Sequence, residues 1–266
     1  GGYASGPLLL TARRMKIPYL IQEQNSFAGV TNKNLGAGAA KICVAFTGME
    51  RFFPADRILL TGNPIRPEAV QISGKREEAM SFFGLDPTKK TILVTGGSLG
   101  ARTLNKVMSG AYTDLVKEQI QLIWQCGKHY YDALKSIQAV GIRVYPFIME
   151  MDLAYAAADL IVSRAGAGTI AELCVVGKPV ILVPSPNVAE DHQTKNAQAL
   201  TQQDAAVMIR DGEADDQLIL AAKALLSDEA RLQVLSANMS RMALLDADIV
   251  IAKEVLKIAE GGRKTR

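Results

Sequence analysis

The stretch Asp159-Leu160-Ile161-Val162-Ser163-Arg164-Ala165-Gly166-Ala167-Gly168-Thr169-Ile170-Ala171-Glu172 reads as a strand, a tight loop and a helix. Its apolar run, rich in Ile and Val, breaks into small residues, and a helix pattern carrying one acid follows. Such a loop leaves backbone N–H groups unpaired. With a helix N-terminus behind them, they favour an anion such as a diphosphate. Glu172 lies four residues past Gly168, in the first turn or so of the expected helix. A carboxylate is favoured there and is able to accept hydrogen bonds from a ribose. A second glycine-rich turn, Thr95-Gly96-Gly97-Ser98-Leu99-Gly100-Ala101-Arg102, also follows an apolar run. Two such turns in one chain point to a nucleotide-diphosphate ligand.

Around these turns the chain alternates strand and helix. Strands are expected at Tyr19–Glu23, Ile42–Ala45, Ile58–Thr61, Thr91–Thr95, Leu122–Gln125, Arg143–Phe147, Leu160–Ser163, Val180–Val183 and Ala206–Ile209. Many are continuous apolar runs, the mark of strands covered on both faces. Helical patterns fall between them, for example Leu99–Lys117, Met151–Ala158, Thr169–Val176 and Gln193–Gln203. Alternation of this kind implies parallel sheets with right-handed crossovers. Six strands follow Lys89, enough for a complete Rossmann-like sheet. The segment Gly62-Asn63-Pro64-Ile65-Arg66-Pro67 reads as a hinge, because its prolines stop strand pairing. Gly1-Gly2-Tyr3-Ala4-Ser5-Gly6-Pro7 has the form of a strand-to-helix loop with no strand before it, and a helix from about Pro7 to Met15 follows. This implies a start inside a domain. A late amphipathic helix spans Asp248 to Ala259, and Gly261–Arg266 reads as a solvated end.

The 266 residues carry a net charge of +3, with basic residues dispersed along the chain. Nucleic-acid binding needs a concentrated basic footprint, so it is disfavoured. No apolar stretch approaches the roughly 18 residues of a membrane span, and no signal-peptide pattern opens the chain. Cys43, Cys126 and Cys174 are isolated in apolar runs and read as buried thiols.

Individual residues carry two readings each. Ser98 either completes a tight turn or offers its hydroxyl and N–H to a phosphate oxygen. No Gly-Lys-Ser/Thr follows, so the loop is not a Walker A motif, and the acidic residue of a dinucleotide fingerprint is absent. Arg164 is either an ion-pairing residue or, at the end of a strand beside the Gly166 loop, a ligand-facing one. Glu172 alone is an ordinary helix acid or a ribose acceptor; together with its loop it favours the second. In Pro184–Ala197, Asp191 reads as a helix N-cap and Glu190 as a complement to the helix dipole. Gln193 and Asn196 present amides for sugar hydroxyls from one helical face. The run Glu23-Gln24-Asn25-Ser26 either caps the next helix or lines a sugar cleft. Neither His129 nor His192 has partners spaced for zinc, and Asp246-Ala247-Asp248 reads as helix capping, so no metal is expected.

Set in order, Gly1–Pro7, Gln22-Glu23-Gln24-Asn25, Gly62-Asn63-Pro64-Ile65-Arg66, Gly96–Arg102, the Arg164–Glu172 loop and helix, and Asp191-His192-Gln193-Thr194-Lys195-Asn196-Ala197 closely resemble the MurG family of bacterial peptidoglycan N-acetylglucosaminyltransferases. The resemblance implies an α/β fold of GT-B type, with two Rossmann-like domains of mostly parallel strands facing across a cleft. It implies an incomplete N-terminal domain over residues 1–66 and a UDP-sugar domain over 67–245. A C-terminal helix, 246–266, would pack back on the first domain. The implied reaction moves N-acetylglucosamine from UDP-N-acetylglucosamine to the undecaprenyl-linked muramyl-pentapeptide, lipid I. It forms lipid II with inversion and without a metal or other cofactor, on the cytoplasmic face of the inner membrane. By the same resemblance Gly97 and Ser98 contact the donor diphosphate with Arg66 nearby. Ala167, Gly168 and Thr169 approach the nucleotide and phosphates, Glu172 holds the ribose, and Gln193, Asn196 and Asn25 hold the sugar. The family begins with a strand and another glycine-rich loop bearing a histidine held to serve the acceptor. The expectation is that the general base and the apolar membrane-facing patch lie outside this chain, which would then turn over little. Alternatives are another GT-B enzyme using a UDP-sugar, or a non-catalytic UDP-sugar-binding module.

Overall fold

A computed structural model describes residues 4–137 and 139–263. The expected loop at Gly1-Gly2-Tyr3 and the end Lys264-Thr265-Arg266 lie outside the described residues. The first lobe holds α1 (Ser5–Arg14), β1 (Leu20–Glu23), α2 (Val30–Gly36), β2 (Lys41–Val44) and β3 (Ile58–Leu60). Its three strands are parallel and ordered β1-β2-β3. Tyr19, Ile21, Leu35, Ile42, Val44 and Phe53 form a core on one sheet face, with Leu9 and Ala12 of α1 packed against it. Cys43 points to the opposite face, as strand alternation requires. Its thiol is pushed up first by burial and then by the charge of Glu254, a residue of the last helix.

After the hinge come α3 (Pro67–Val70), α4 (Arg76–Phe83), β4 (Thr91–Thr95), α5 (Arg102–Lys117), β5 (Gln121–Gln125), α6 (Lys128–Leu134), β6 (Ile142–Tyr145) and α7 (Met151–Ala157). Then follow β7 (Leu160–Ser163), α8 (Ala167–Val176), β8 (Val180–Leu182), α9 (His192–Thr201), β9 (Val207–Met208), α10 (Ala214–Ser227), α11 (Glu229–Arg241) and α12 (Ala247–Arg263). The second sheet is parallel throughout, in the order β6-β5-β4-β7-β8-β9. Every residue of β4, β5, β7 and β8 is buried. Alternate side chains feed two cores: Leu93 and Ile161 pack with α4, α7 and α8. Ile92, Val94, Leu160 and Val162 pack with α5 and α10. Continuous apolar runs were the right signal for such strands. Truncating one, as in Leu93→Ala, removes transfer energy and leaves a cavity, costing about 2–5 kcal/mol.

Helix starts are the main corrections. The helix expected from Leu99 begins at Arg102, because Gly100 has φ +78° and Ala101 is extended. The helix expected from Thr169 begins two residues earlier at Ala167. Asn25 and Ser26 do not cap the following helix, whose N-cap position is Gly29. Asp191 occupies the position before α9 but in a left-handed conformation, φ 54°, with no side-chain capping bond.

The polypeptide crosses between the lobes twice. It leaves the first lobe at Gly62 and returns after α11 at Leu244, and a Cβ on Gly62 would lie 2.7 Å from Leu244 Cβ. The two crossings therefore touch. In α12, Ala247, Val250, Ile251, Glu254 and Ile258 are its less exposed positions, spaced as one helical face.

Candidate functional site

Strand order decides where a ligand sits. From β4 the chain proceeds to β5 and β6 on one side, then returns to β7 and runs to β8 and β9 on the other. The crevice beyond the carboxyl ends of β4 and β7 is thus a topological switch point, the usual ligand position in open α/β sheets. Thr95 and Ser163 are register partners. That pairing sets the Gly96–Ala101 loop beside the Arg164–Gly166 loop.

The first loop is built to hold backbone open at one point only. Gly97 has φ +80°, and a Cβ there would meet nothing within 4 Å. Its carbonyl accepts from Gln125 Nε2 at 3.1 Å and from the Gly100 N–H at 3.0 Å. Gly100 is closed off: a Cβ would lie 1.9 Å from the Cys126 carbonyl oxygen. Behind the loop, Trp124 Nε1 donates to Asn105 Oδ1, whose amide Nδ2 donates to the Cys126 carbonyl, both at 2.9 Å. This pair fixes α5 on β5. Ser98 stands exposed at the tip.

The second loop leads into α8. Gly166 is extended, φ −66° and ψ 145°, and Ala167, Gly168 and Thr169 are the first helical residues. The N–H groups of a first turn have no partner within the helix. Gly168 is exposed with open space at its Cβ position. Glu172 is the sixth residue of α8, so it lies beyond the first turn and outside the reach of the dipole effect. What governs it instead is burial, which raises its carboxyl above the ordinary value. The Arg66 charge and a hydrogen bond from Tyr155 pull the other way. Tyr155 Oη donates to Glu172 Oε2 at 3.3 Å, and burial pushes the tyrosine itself well up. Arg66, exposed at the end of the hinge, opens on a hollow of about 220 Å³ with Lys75, Met149 and Asp152.

The amides are used in different ways. Gln193 Oε1 accepts from the backbone N–H groups of Ala165 (3.2 Å) and Ser185 (2.8 Å). This orients its side chain at the ends of β7 and β8 and leaves Nε2 as the donor for a ligand. Asn196 is fully buried. Its Oδ1 accepts from Ser26 N–H at 2.9 Å, and its Nδ2 donates to Asn25 Oδ1 at 3.0 Å and to the Ala165 carbonyl at 3.3 Å. Asn25 and Asn196 are therefore brought together, but by bonding each other across the lobes. Arg164 is also engaged. Its Nη1 donates to the carbonyls of Val183 and Pro184 and pairs with Asp211 at 2.5 Å. Asp211 in turn accepts from Thr103 Oγ1 in α5.

Three polar positions around the site had no reading of their own. Asn63, 4 % exposed, accepts from Gln22 Nε2 at 2.8 Å and donates to the carbonyls of Gln24 and Ala167. Its signal was its place between Gly62 and Pro64, where an amide carries bonds that proline cannot. Tyr155 and Gln125 sit inside apolar patterns that hide their polar ends. Glu23 is buried, and its carboxylate accepts from Asn25 N–H, Gly29 N–H and Asn32 Nδ2. It shapes the loop through these three bonds. Among the described residues, no three of His, Cys, Asp or Glu come together in a way that could hold a metal ion.

Residues 91–254 match the glycosyltransferase family 28 C-terminal domain. Over 264 residues the chain is 54% identical to the UDP-N-acetylglucosamine--N-acetylmuramyl-(pentapeptide) pyrophosphoryl-undecaprenol N-acetylglucosamine transferase of Parabacteroides distasonis, covering 98% of this chain and 72% of that protein. The chain belongs to glycosyltransferase family 28. The Bacteroides thetaiotaomicron member, of the same name, is 52% identical over 266 residues, again 98% of this chain and 72% of that one. Among solved structures, Acinetobacter baumannii MurG is 32% identical with a TM-score of 0.79, over 97% of this chain and 73% of its own. The family is one of glycosyltransferases, and the fold is the α/β, GT-B type with parallel sheets expected from the motifs.

Proposed function

We propose that the chain carries the donor half of the transfer of N-acetylglucosamine from UDP-N-acetylglucosamine to the undecaprenyl-linked lipid I acceptor, giving lipid II. The observation that carries the reading is the switch-point crevice, where an open glycine turn, a free helix N-terminus and a half-buried carboxylate converge. The diphosphate lies between the Gly97–Ser98 turn and the N–H groups of Ala167, Gly168 and Thr169, with Arg66 adding positive charge. Glu172 accepts from the ribose hydroxyls, and Tyr155 holds its carboxylate in place. Gln193 donates to the sugar. Asn25 and Asn196 position the loop that closes over it, and Arg164 holds the strand ends that carry the site.

The acceptor hydroxyl attacks the anomeric carbon as the bond from that carbon to the β-phosphate oxygen breaks, with inversion. The electron pair leaves with UDP, whose new charge meets the N–H groups of the α8 N-terminus, oriented before reaction, and the Arg66 cation. A base must take the hydroxyl proton. Glu23 does not serve, because three donors occupy it. The site works at the inner surface of the cytoplasmic membrane, where the lipid acceptor resides, with the protein held peripherally. Among the described residues no helix is long and apolar enough to cross a membrane, and nucleic acid has no part in the reaction.

Isothermal titration tests this reading. UDP and UDP-N-acetylglucosamine should bind with a 1:1 stoichiometry and equal affinity with magnesium or with chelator, and UDP-glucose should bind more weakly than UDP-N-acetylglucosamine. A strict magnesium requirement, or no preference between the two sugars, would overturn it.

A further inference from the structure

A second cavity, about 490 Å³, lies between the lobes on another flank of α8. Ala167, Ile170, Ala171 and Cys174 line it at helical spacing. Glu172 follows Ala171 by a rotation of roughly 100° and Ile170 by roughly 200°, and it meets Tyr155 elsewhere. The cavity therefore opens away from Glu172 and meets the crevice at the carboxyl ends of β4 and β7 at Ala167. Its other walls come from the first lobe around Thr47 and Gly48 and from the chain after α11 at Met242 and Leu244.

Its chemistry is one-sided. Arg51 and Arg241 both line it, and no acidic side chain does among the described residues. Arg51 uses Nη2 on the Ser26 carbonyl and stacks on Phe52, and Arg241 uses Nη1 on Asn238. Each guanidinium has five N–H donors, so both keep donors to spare. Gln202 and Gln203 add amides, and Phe46, Leu60 and Leu244 supply apolar wall. Ser26 also lines the cavity. It is 5% exposed, and its Oγ is buried with no hydrogen-bond partner. A buried hydroxyl left unmet is costly unless a ligand or water completes it. The thiol of Cys174, pushed up to about 12 by burial, stays neutral and contributes only apolar surface.

We propose that this cavity binds a small organic anion with an apolar body, its charge held by Arg51 and Arg241 and its polar edge met by Ser26 Oγ. Because its walls belong to both lobes, the occupant bridges them. The two charge-holding residues, Arg51 and Arg241, take no part in the donor assignment.

The test uses the whole chain and 8-anilinonaphthalene-1-sulfonate, an amphipathic anion whose fluorescence reports burial. Titration should show one saturable site that excess UDP does not displace. Arg241→Glu, at an exposed position, should weaken binding about tenfold or more while the chain still melts cooperatively. Ala171→Trp, which fills the space, should abolish it. Unchanged affinity in Arg241→Glu, or one-for-one displacement by UDP, would overturn the proposal. The Arg241→Glu result does not depend on whether the tryptophan variant folds.

Discussion

Asn196 Nδ2 donates to Asn25 Oδ1 at 3.0 Å, joining the helix after β8 to the loop after β1. The same amide accepts from Ser26 N–H and donates to the Ala165 carbonyl. One side chain thus carries three bonds, two of them to the other lobe. Asn196→Ala would leave a buried N–H and a buried carbonyl unmet, at about 1–3 kcal/mol each. We expect a lower melting temperature and faster proteolysis of the Gln24–Gly29 loop. Retained melting temperature and protease resistance would contradict this role.

Glu172 gives a prediction with a defined sign. Its carboxyl is raised by burial, so the folded chain binds its proton more readily than the unfolded one. That contribution to stability is fully present below the unfolded value and is lost as pH rises through the folded one. Glu172→Gln should therefore melt higher than the parent at neutral pH, with the difference shrinking in acid. The ligand wants the opposite state: UDP affinity of the parent should fall as acidification protonates the carboxylate. Glu172→Ala should weaken UDP by about 10- to 100-fold, the worth of hydrogen bonds to a charged group, roughly 1.5–3 kcal/mol. Parallel melting curves and unchanged titrations across pH would remove the ribose assignment.

Gly97 and Gly100 separate ligand space from folding space. Both have positive φ, but only Gly100 faces backbone, at the Cys126 carbonyl. Gly97→Ala should cost about 1–2 kcal/mol of backbone strain and still fold, with UDP affinity reduced by the methyl in the crevice. Gly100→Ala should destabilise much more, because the loop must move off β5. Equal melting temperatures in the two variants would contradict this division.

Arg164 is paired with Asp211, the side chains being 13% and 19% exposed. Removing one partner of such a pair leaves the other charge desolvated, at about 3 kcal/mol. Arg164→Gln should lower the melting temperature while changing UDP affinity less than Glu172→Ala does. Comparing calorimetric melting with titration for the two variants checks it.

Strands were the legible part of this chain. β4, β5, β7 and β8 have unbroken apolar centres because helices cover both faces, with polar residues only at the ends of β4, β5 and β7. Helix starts were less so: Gly100 delays α5 by adopting a left-handed turn that a helix pattern does not register. The two glycine turns were readable as loops at strand ends, whereas the surroundings of Glu172 and Gln193 come from Arg66, Tyr155 and Ala165, far from them in sequence. Asn196 and Arg164 looked the same in sequence, yet each is consumed by partners far along the chain: Ser26 in one case, Asp211 in the other. Tyr155 was invisible, since an aromatic ring inside an apolar helix reads only as core. What the residues could not reveal was who would spend hydrogen bonds on whom across the lobes.

The two passages of polypeptide between the lobes lie side by side, Gly62 against Leu244. A body fastened along one edge behaves as a door: it swings about that edge and resists sliding or twisting. Any swing of the lobes would therefore be smallest at Gly62 and would have to break the Asn25–Asn196 bond.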